Sequence, residues 1–253
     1  MGFICLFMLQ EDEKMVFGIR EILVFLILFG ANLLQAITGF AGTLISMPPT
    51  IKLIGVEEAK ALLNAIAQIS SIMIVYTGWK HVNWKEFIKM FVLMVLGMAV
   101  GMKLFQIFPL QQLLILYGIM IIAIALKKLF VKKEIALPGL LMLVVIFIAG
   151  IIHGMFVSGG ALLVVYAASV MKEKEEFRAT IAMMWVTVGC FITWGQYTSG
   201  HFNSHVMFLL ILGIIPVFVG TWIGTKLVKK MPQEIFMKIT YILLLLSGVM
   251  AIV

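Results

Sequence analysis

The chain alternates long apolar stretches with short charged or turn-rich ones. Apolar segments lie at about 22–54, 61–79, 87–108, 111–130, 139–171, 179–198, 206–227 and 234–253, the first and fifth interrupted by glycine. The uninterrupted ones run roughly 20 residues, the length of a helix that spans a hydrocarbon core. The longest polar stretch is only about ten residues, which leaves no soluble domain. In lipid every backbone group must be paired within its own segment, so each segment predicts a helix. The expected fold is all-α, a polytopic integral membrane protein, multi-pass in a cell membrane. The first ten residues, MGFICLFMLQ, are too short to span, and Glu11, Asp12, Glu13 and Lys14 follow them. They read as an interfacial piece, or as lying upstream of a start at Met15. The basic region of a cleaved signal peptide is missing.

Composition agrees. Hydrophobic residues make up 63% of the 253 and charged residues 12%, against about 45–50% and about 25% in soluble domains. Mean hydropathy is +1.15. A soluble enzyme, a disordered chain and a disulfide scaffold are excluded, since Cys5 and Cys190 cannot staple a chain of this size. The net charge of +7 reads as cytoplasmic loops facing anionic lipid, not as a nucleic-acid surface.

The two halves match in order. At an offset of 118, Gln35 falls on His153, Gly42 on Gly160, Leu44 on Leu162, Glu57-Glu58 on Glu175-Glu176, Lys60 on Arg178 and Ala61 on Ala179. At 120, His81-Val82-Asn83 falls on His201-Phe202-Asn203. At 123, Gly97, Gly101, Lys103, Leu104 and Pro109 fall on Gly220, Gly224, Lys226, Leu227 and Pro232. The offset grows only at loops, as small insertions would make it. This predicts an N-terminal segment at 1–21 and two homologous halves, 22–133 and 134–253, in one membrane domain. Internal repeats in a polytopic chain point to a transporter.

Residues 22–54 as one straight helix would be about 50 Å long, against a core of about 30 Å. A hairpin broken at Gly39-Phe40-Ala41-Gly42 fits better, and Ser158-Gly159-Gly160 marks its counterpart. Each half then has three crossings and one hairpin, and an odd number inverts the second half. With the N-terminus outside, Lys80, Lys85, Lys89, Lys127, Lys128, Lys132, Lys133, Lys172, Lys174, Arg178, Lys226, Lys229, Lys230 and Lys238 all fall inside. That is 14 of the 19 basic residues, a clear positive-inside bias. Eight simple crossings in a parallel repeat, the alternative, divide the basic residues almost evenly.

The ordered motifs are Gly39-Phe40-Ala41-Gly42, Glu57-Glu58-Ala59-Lys60-Ala61, Tyr76 to Trp84 with Val82-Asn83-Trp84, and Gly97-x-x-x-Gly101 with Pro109. Ser158-Gly159-Gly160, Gly220-x-x-x-Gly224 and Pro232 repeat them. Over about residues 22–253 this order resembles the sulfite exporter TauE/SafE-like family of membrane transporters. The resemblance implies transport of sulfite, organosulfonates or related small anions. The first break departs from the family pattern, reading Gly-Phe-Ala-Gly where a run of glycines is usual.

Unwound backbone at membrane depth is tolerated only in buried or wet cavities. Half-helices starting near Thr43 and Ala161 would aim N–H groups and positive dipole ends at the midplane, which suits an anion. The candidate substrate-binding set is therefore Gln35, Thr38, Gly39, Gly42, Asn64, Gln68, His153, Ser158, Gly159 and Gly160. Asn64 and Gln68 share a helix face. They either glue helices together or line a path, and Thr187 and Gln196 are weaker candidates. His153 is the one ionisable residue well inside an apolar segment, a position that is costly unless functional. It is the candidate for proton coupling; its alternative is a neutral ring bonded to backbone. Gly97, Gly101, Gly220 and Gly224 read as packing positions. Lys60 and Arg178 read as snorkelling residues near the surface, and the five tryptophans as packing or interface anchors.

The reading is a secondary transporter working by alternating access, with a small anion and the lipid bilayer as partners. It takes no cofactor, no metal and no nucleic acid. His-Glu-x-x-His, Gly-x-Ser-x-Gly and paired intramembrane carboxylates are absent from the sequence, so an enzyme is not expected. An anion channel or a membrane scaffold is the alternative. Sequence leaves open the substrate, the direction, the coupling ion and the oligomeric state.

Overall fold

The computed structural model describes residues 18–104, 110–130, 139–156 and 160–252. Expectations falling on Met15, Pro109, Lys132, Ser158, Gly159 and Val253 lie outside them. The helices are α1 Ile19–Thr38, α2 Ala41–Ile54, α3 Val56–Gly78, α4 Trp84–Leu104, α5 Leu110–Phe130, α6 Gly139–Phe156, α7 Gly160–Val170, α8 Lys174–Thr198, α9 Ser204–Lys230 and α10 Gln233–Ile252. A 3-10 turn, Trp79–His81, joins α3 to α4. Among the described residues there is no strand, and six helices (α1, α3 with its turn, α4, α8, α9 and α10) are long and apolar enough to cross a membrane.

Several helices start before their apolar segments because polar first turns suit helix ends. Glu57 and Glu58 open α3, and Glu175 and Glu176 open α8, where negative charge meets the positive end of the helix dipole. Asn83 Oδ1 accepts the Glu86 N–H (3.1 Å) and Asn203 Oδ1 accepts the Val206 N–H (2.8 Å), capping the starts of α4 and α9.

Side chains face outward and inward as a lipid solvent requires. Leu26, Ile88, Leu96, Phe191, Ile215 and Phe218 are exposed, whereas Asn32, Ser70, Ser71, Thr180 and Thr221 are buried. The helix seams are made by small residues. A Cβ on Gly220 would come within 2.6 Å of the Phe29 carbonyl oxygen, and one on Gly224 within 2.6 Å of that of Leu33. α9 therefore lies backbone to backbone against α1. Gly97 and Gly101 press on Phe147, Gly150 and Ile151 in the same way, joining α4 to α6. Both seams advance in the same chain direction, so α1 runs with α9 and α4 with α6. The remaining main pairs are α3 with α8 and α5 with α10.

Two asparagines fix the orientation of the α3/α8 pair. Asn83, just past the end of α3, donates to Glu176 at the start of α8 (2.6 Å). Asn203, just past the end of α8, donates to Glu58 at the start of α3 (2.8 Å). The two helices are therefore antiparallel. At the Asn203 end, His205 Nδ1 lies 2.7 Å from Glu58 and its Nε2 lies 4.0 Å from Glu21. The starts of α1, α3 and α9 thus meet there, and α1 with α2 leaves and returns at one end. At the Asn83 end, Tyr166 of α7 donates to Glu86 of α4 (2.5 Å). Lys174 Nζ donates there to the carbonyls of Val228 (2.7 Å) and Met231.

Candidate functional site

The chain leaves helical geometry after Thr38, where Gly39 has φ +84. Only glycine takes that backbone without strain. Thr38 Oγ1 accepts the N–H groups of Phe40 (3.4 Å) and Ala41 (3.2 Å) while donating to the Leu34 carbonyl (2.8 Å). Gln35 Oε1 accepts the Gly42 N–H (3.0 Å), and its Nε2 donates to the Gly39 carbonyl (3.2 Å) and to Ser71 Oγ (3.4 Å). The first donors of α2 are thus occupied by the chain itself. A Cβ on Gly42 would sit 2.5 Å from the Ala31 carbonyl oxygen, so α2 folds back tightly along α1. Thr38, Gly39 and Gly42 shape this break from behind and do not line the cavity described below.

Arg178 departs from its expected snorkelling place at the surface. It is 2% exposed. Its Nε donates to the Ala36 carbonyl in the last turn of α1, and its other nitrogens reach Thr225 Oγ1 (2.6 Å) and Glu175 (3.3 Å). A fixed cation at a helix C-terminus satisfies an orphan carbonyl and complements the dipole. The cation is drawn inward because α1 stops there. Lys60, the residue the sequence aligned with it, stays at the surface paired with Glu57 (3.3 Å).

Beside the break lies a cavity of about 250 Å³. Its lining includes Gln35, Phe40 and Thr43 from α1, α2 and the bend between them, Asn64 and Gln68 from α3, His153 from α6, and Gly160 and Ala161 from α7. Trp185 and Ile192 of α8 and Ser247 and Met250 of α10 complete it. Five residues of the sequence-derived set, Gln35, Asn64, Gln68, His153 and Gly160, therefore meet in one space. Asn64 donates to Thr193 Oγ1 (2.8 Å) and to Gln196 Oε1 (3.0 Å). Gln68 donates to the Gly189 carbonyl (2.9 Å) and to Thr193 Oγ1. These amides bridge α3 to α8 with their donors engaged. Thr187 turns back onto the Met183 carbonyl (3.1 Å).

Other groups on the cavity wall are different. Among the described residues, neither ring nitrogen of His153, nor Trp185 Nε1, nor Ser247 Oγ has a hydrogen-bond partner, although all four atoms are buried. The His153 and Trp185 rings lie 5.8 Å apart between centroids. Sequence reasoning missed Trp185 and Ser247. The available signal was their depth: Trp185 lies mid-way along α8, where an interfacial anchor has no interface, and Ser247 sits in an otherwise apolar run.

Comparison with protein families matches residues 24–251 to the sulfite exporter TauE/SafE family. Comparison with curated proteins and with solved structures gives no match. The match spans nearly the whole chain, and the apolar helices agree with it. This multi-pass membrane protein therefore belongs to the TauE/SafE sulfite exporter family of membrane transporters.

Proposed function

We propose that the chain is a secondary transporter of a small anion such as sulfite or an organosulfonate. The anion is held near the midplane, in the cavity between the two hairpin tips, and is passed across by alternating access. The observation that carries this reading is the set of buried polar groups, on residues that line that cavity, without partners among the described residues. Each such group left unpaired costs about 1–3 kcal/mol. The Trp185 indole N–H can only donate, so the missing partner is an acceptor. Among the described residues, the cavity wall has no carboxylate to repel an anion. Gly160 and Ala161, which open α7, add the positive end of a helix dipole.

The halves 22–133 and 134–253 form an inverted repeat in this reading. Three observations support it: the antiparallel α3/α8 pair, the reciprocal asparagine contacts at its two ends, and the α1/α9 seam matched by the α6/α4 seam. The hairpins then enter from opposite sides and meet at the cavity. Lys85→Cys and Lys229→Cys should be labelled only from the cytoplasm and Asn203→Cys only from outside. Labelling of positions 85 and 203 from one side restores a parallel repeat.

Counterflow in proteoliposomes tests the transport cycle. Vesicles preloaded with unlabelled sulfite should accumulate labelled sulfite transiently and saturably. Non-saturating conductance without exchange would make the chain a channel.

A further inference from the structure

We infer that Trp185 and Ser247, with His153, are the specificity-determining donors of the anion site. They select a head group with three acceptor oxygens on one centre over a carboxylate with two. The inference rests on the transporter reading above and assigns its selectivity to named atoms. The three side chains come from three helices, α8, α10 and α6, and converge on one cavity. His153 is 5% and Ser247 1% exposed, and Trp185 Nε1 is fully buried. None of the three has a partner among the described residues, whereas Gln35, Asn64 and Gln68 on the same wall have donors engaged by the chain. Among the described residues, these three buried and unpaired side chains all belong to the second half. Trp185 is held in place there: its ring packs against Gly160, where a Cβ would come within 2.9 Å of it. A side chain at 160 would push the indole off its position, so the tryptophan requires the glycine.

The chemistry sorts ligands by how their acceptor oxygens are arranged, pyramidal in a sulfonate and planar in a carboxylate. Trp185 donates and cannot accept, whereas Ser247 and His153 can do either. A sulfonate or sulfite offers one oxygen to each donor. A carboxylate of equal charge has lone pairs enough for three donors but holds its two oxygens in one plane; donors arriving from three helices cannot all align with it, and a misaligned buried donor is what a polar site rejects. The apolar wall of Phe40, Leu44, Met47 and Ile192 accommodates a small substituent behind the head group.

Methanesulfonate and acetate are the probes, since both are monoanions carrying a methyl group. Purified wild-type protein should bind methanesulfonate more tightly. Trp185→Phe keeps the ring and removes the N–H; it should weaken methanesulfonate roughly 10- to 100-fold, the loss of a bond to a charged acceptor. Acetate should change by less than about threefold. Ser247→Ala should narrow the ratio in the same direction. An unchanged ratio in both folded variants overturns the inference while leaving the site intact. A wild type that binds neither sulfite nor methanesulfonate overturns the transporter site itself. A readout independent of those variants uses the protein with Trp79, Trp84, Trp194 and Trp222, all exposed, replaced by phenylalanine. Its single indole N–H resonance, that of Trp185, should move on saturation with methanesulfonate and not with acetate; a resonance that stays still refutes the contact.

Discussion

Replacing glycine by alanine should change stability with opposite sign at two sets of positions in this fold. At Gly220 the added carbon would lie 2.6 Å from the Phe29 carbonyl oxygen and 3.2 Å from the Leu33 nitrogen. At Gly224 it would lie 2.6 Å from the Leu33 carbonyl oxygen and 2.8 Å from Ala36 Cβ. Comfortable contacts begin at about 3.5 Å, so each substitution is close to 1 Å too near. The obstructing atoms are backbone and cannot rotate away. α9 must then retreat from α1, and a gap of about 0.5–1 Å forfeits a quarter to a half of each contact along the seam. Overpacking of this kind costs about 1–3 kcal/mol. Gly30 and Gly195 have no atom within 4 Å of the added carbon. Alanine there gains helix propensity, at most about 0.5–1 kcal/mol. The two classes should differ by roughly 2–4 kcal/mol, about 2–4 °C in Tm for each kcal/mol in a chain of this size. Thermal unfolding in detergent, followed by size-exclusion fluorescence, measures the order. If Gly220→Ala and Gly224→Ala melt with Gly30→Ala, close backbone packing is not what joins α1 to α9.

Three other variants probe the site. Gly42→Leu should destabilise the protein and abolish transport, because its neighbour is backbone; Gly160→Leu should insert normally yet still fail to transport, because its neighbour is the Trp185 ring. Normal transport by Gly160→Leu would make the second break a packing feature. A bound anion favours a protonated His153, so by linkage substrate affinity should strengthen as pH falls; His153→Gln, which places there the residue found at position 35, should flatten that profile. A profile unchanged in His153→Gln moves the coupling elsewhere. Arg178→Gln strands the Ala36 carbonyl, and should cost about 1–3 kcal/mol in stability, the penalty for leaving a buried acceptor unpaired. Wild-type stability in that variant would show that the first break closes without it.

The crossing helices were legible because lipid forces an apolar helix wherever a segment meets hydrocarbon. Helix starts were less so: Glu57-Glu58 and Glu175-Glu176 belong to their helices, but hydropathy sees only charge. The site was legible in part. His153 and Gly160 stood out, and both line the cavity. Gln35 and Gly42 also stood out, yet they bond to each other across seven residues. No helical period predicts such a contact, because it exists only once the helix has stopped. Arg178 looked like a surface residue because its burial depends on α1 ending beside it. Trp185 has the composition of an interface anchor, and only its depth in the bundle distinguishes it.

The Arg178 contact also dictates an order of events during synthesis. Its acceptor, Ala36, lies 142 residues upstream. At about 5–20 residues per second, the ribosome needs roughly 7–30 s to deliver the arginine after the alanine. Over that interval only Gln35 and Thr38 hold the bend, and the face of α1 that receives Gly220 and Gly224 has no partner until later still. The nascent chain must therefore carry an incomplete first hairpin through most of its translation. A chain arrested before α8 should accordingly expose a cysteine at position 36 to thiol reagents that cannot reach it in the finished protein. Equal protection in both would mean that the bend is complete without its distant cap.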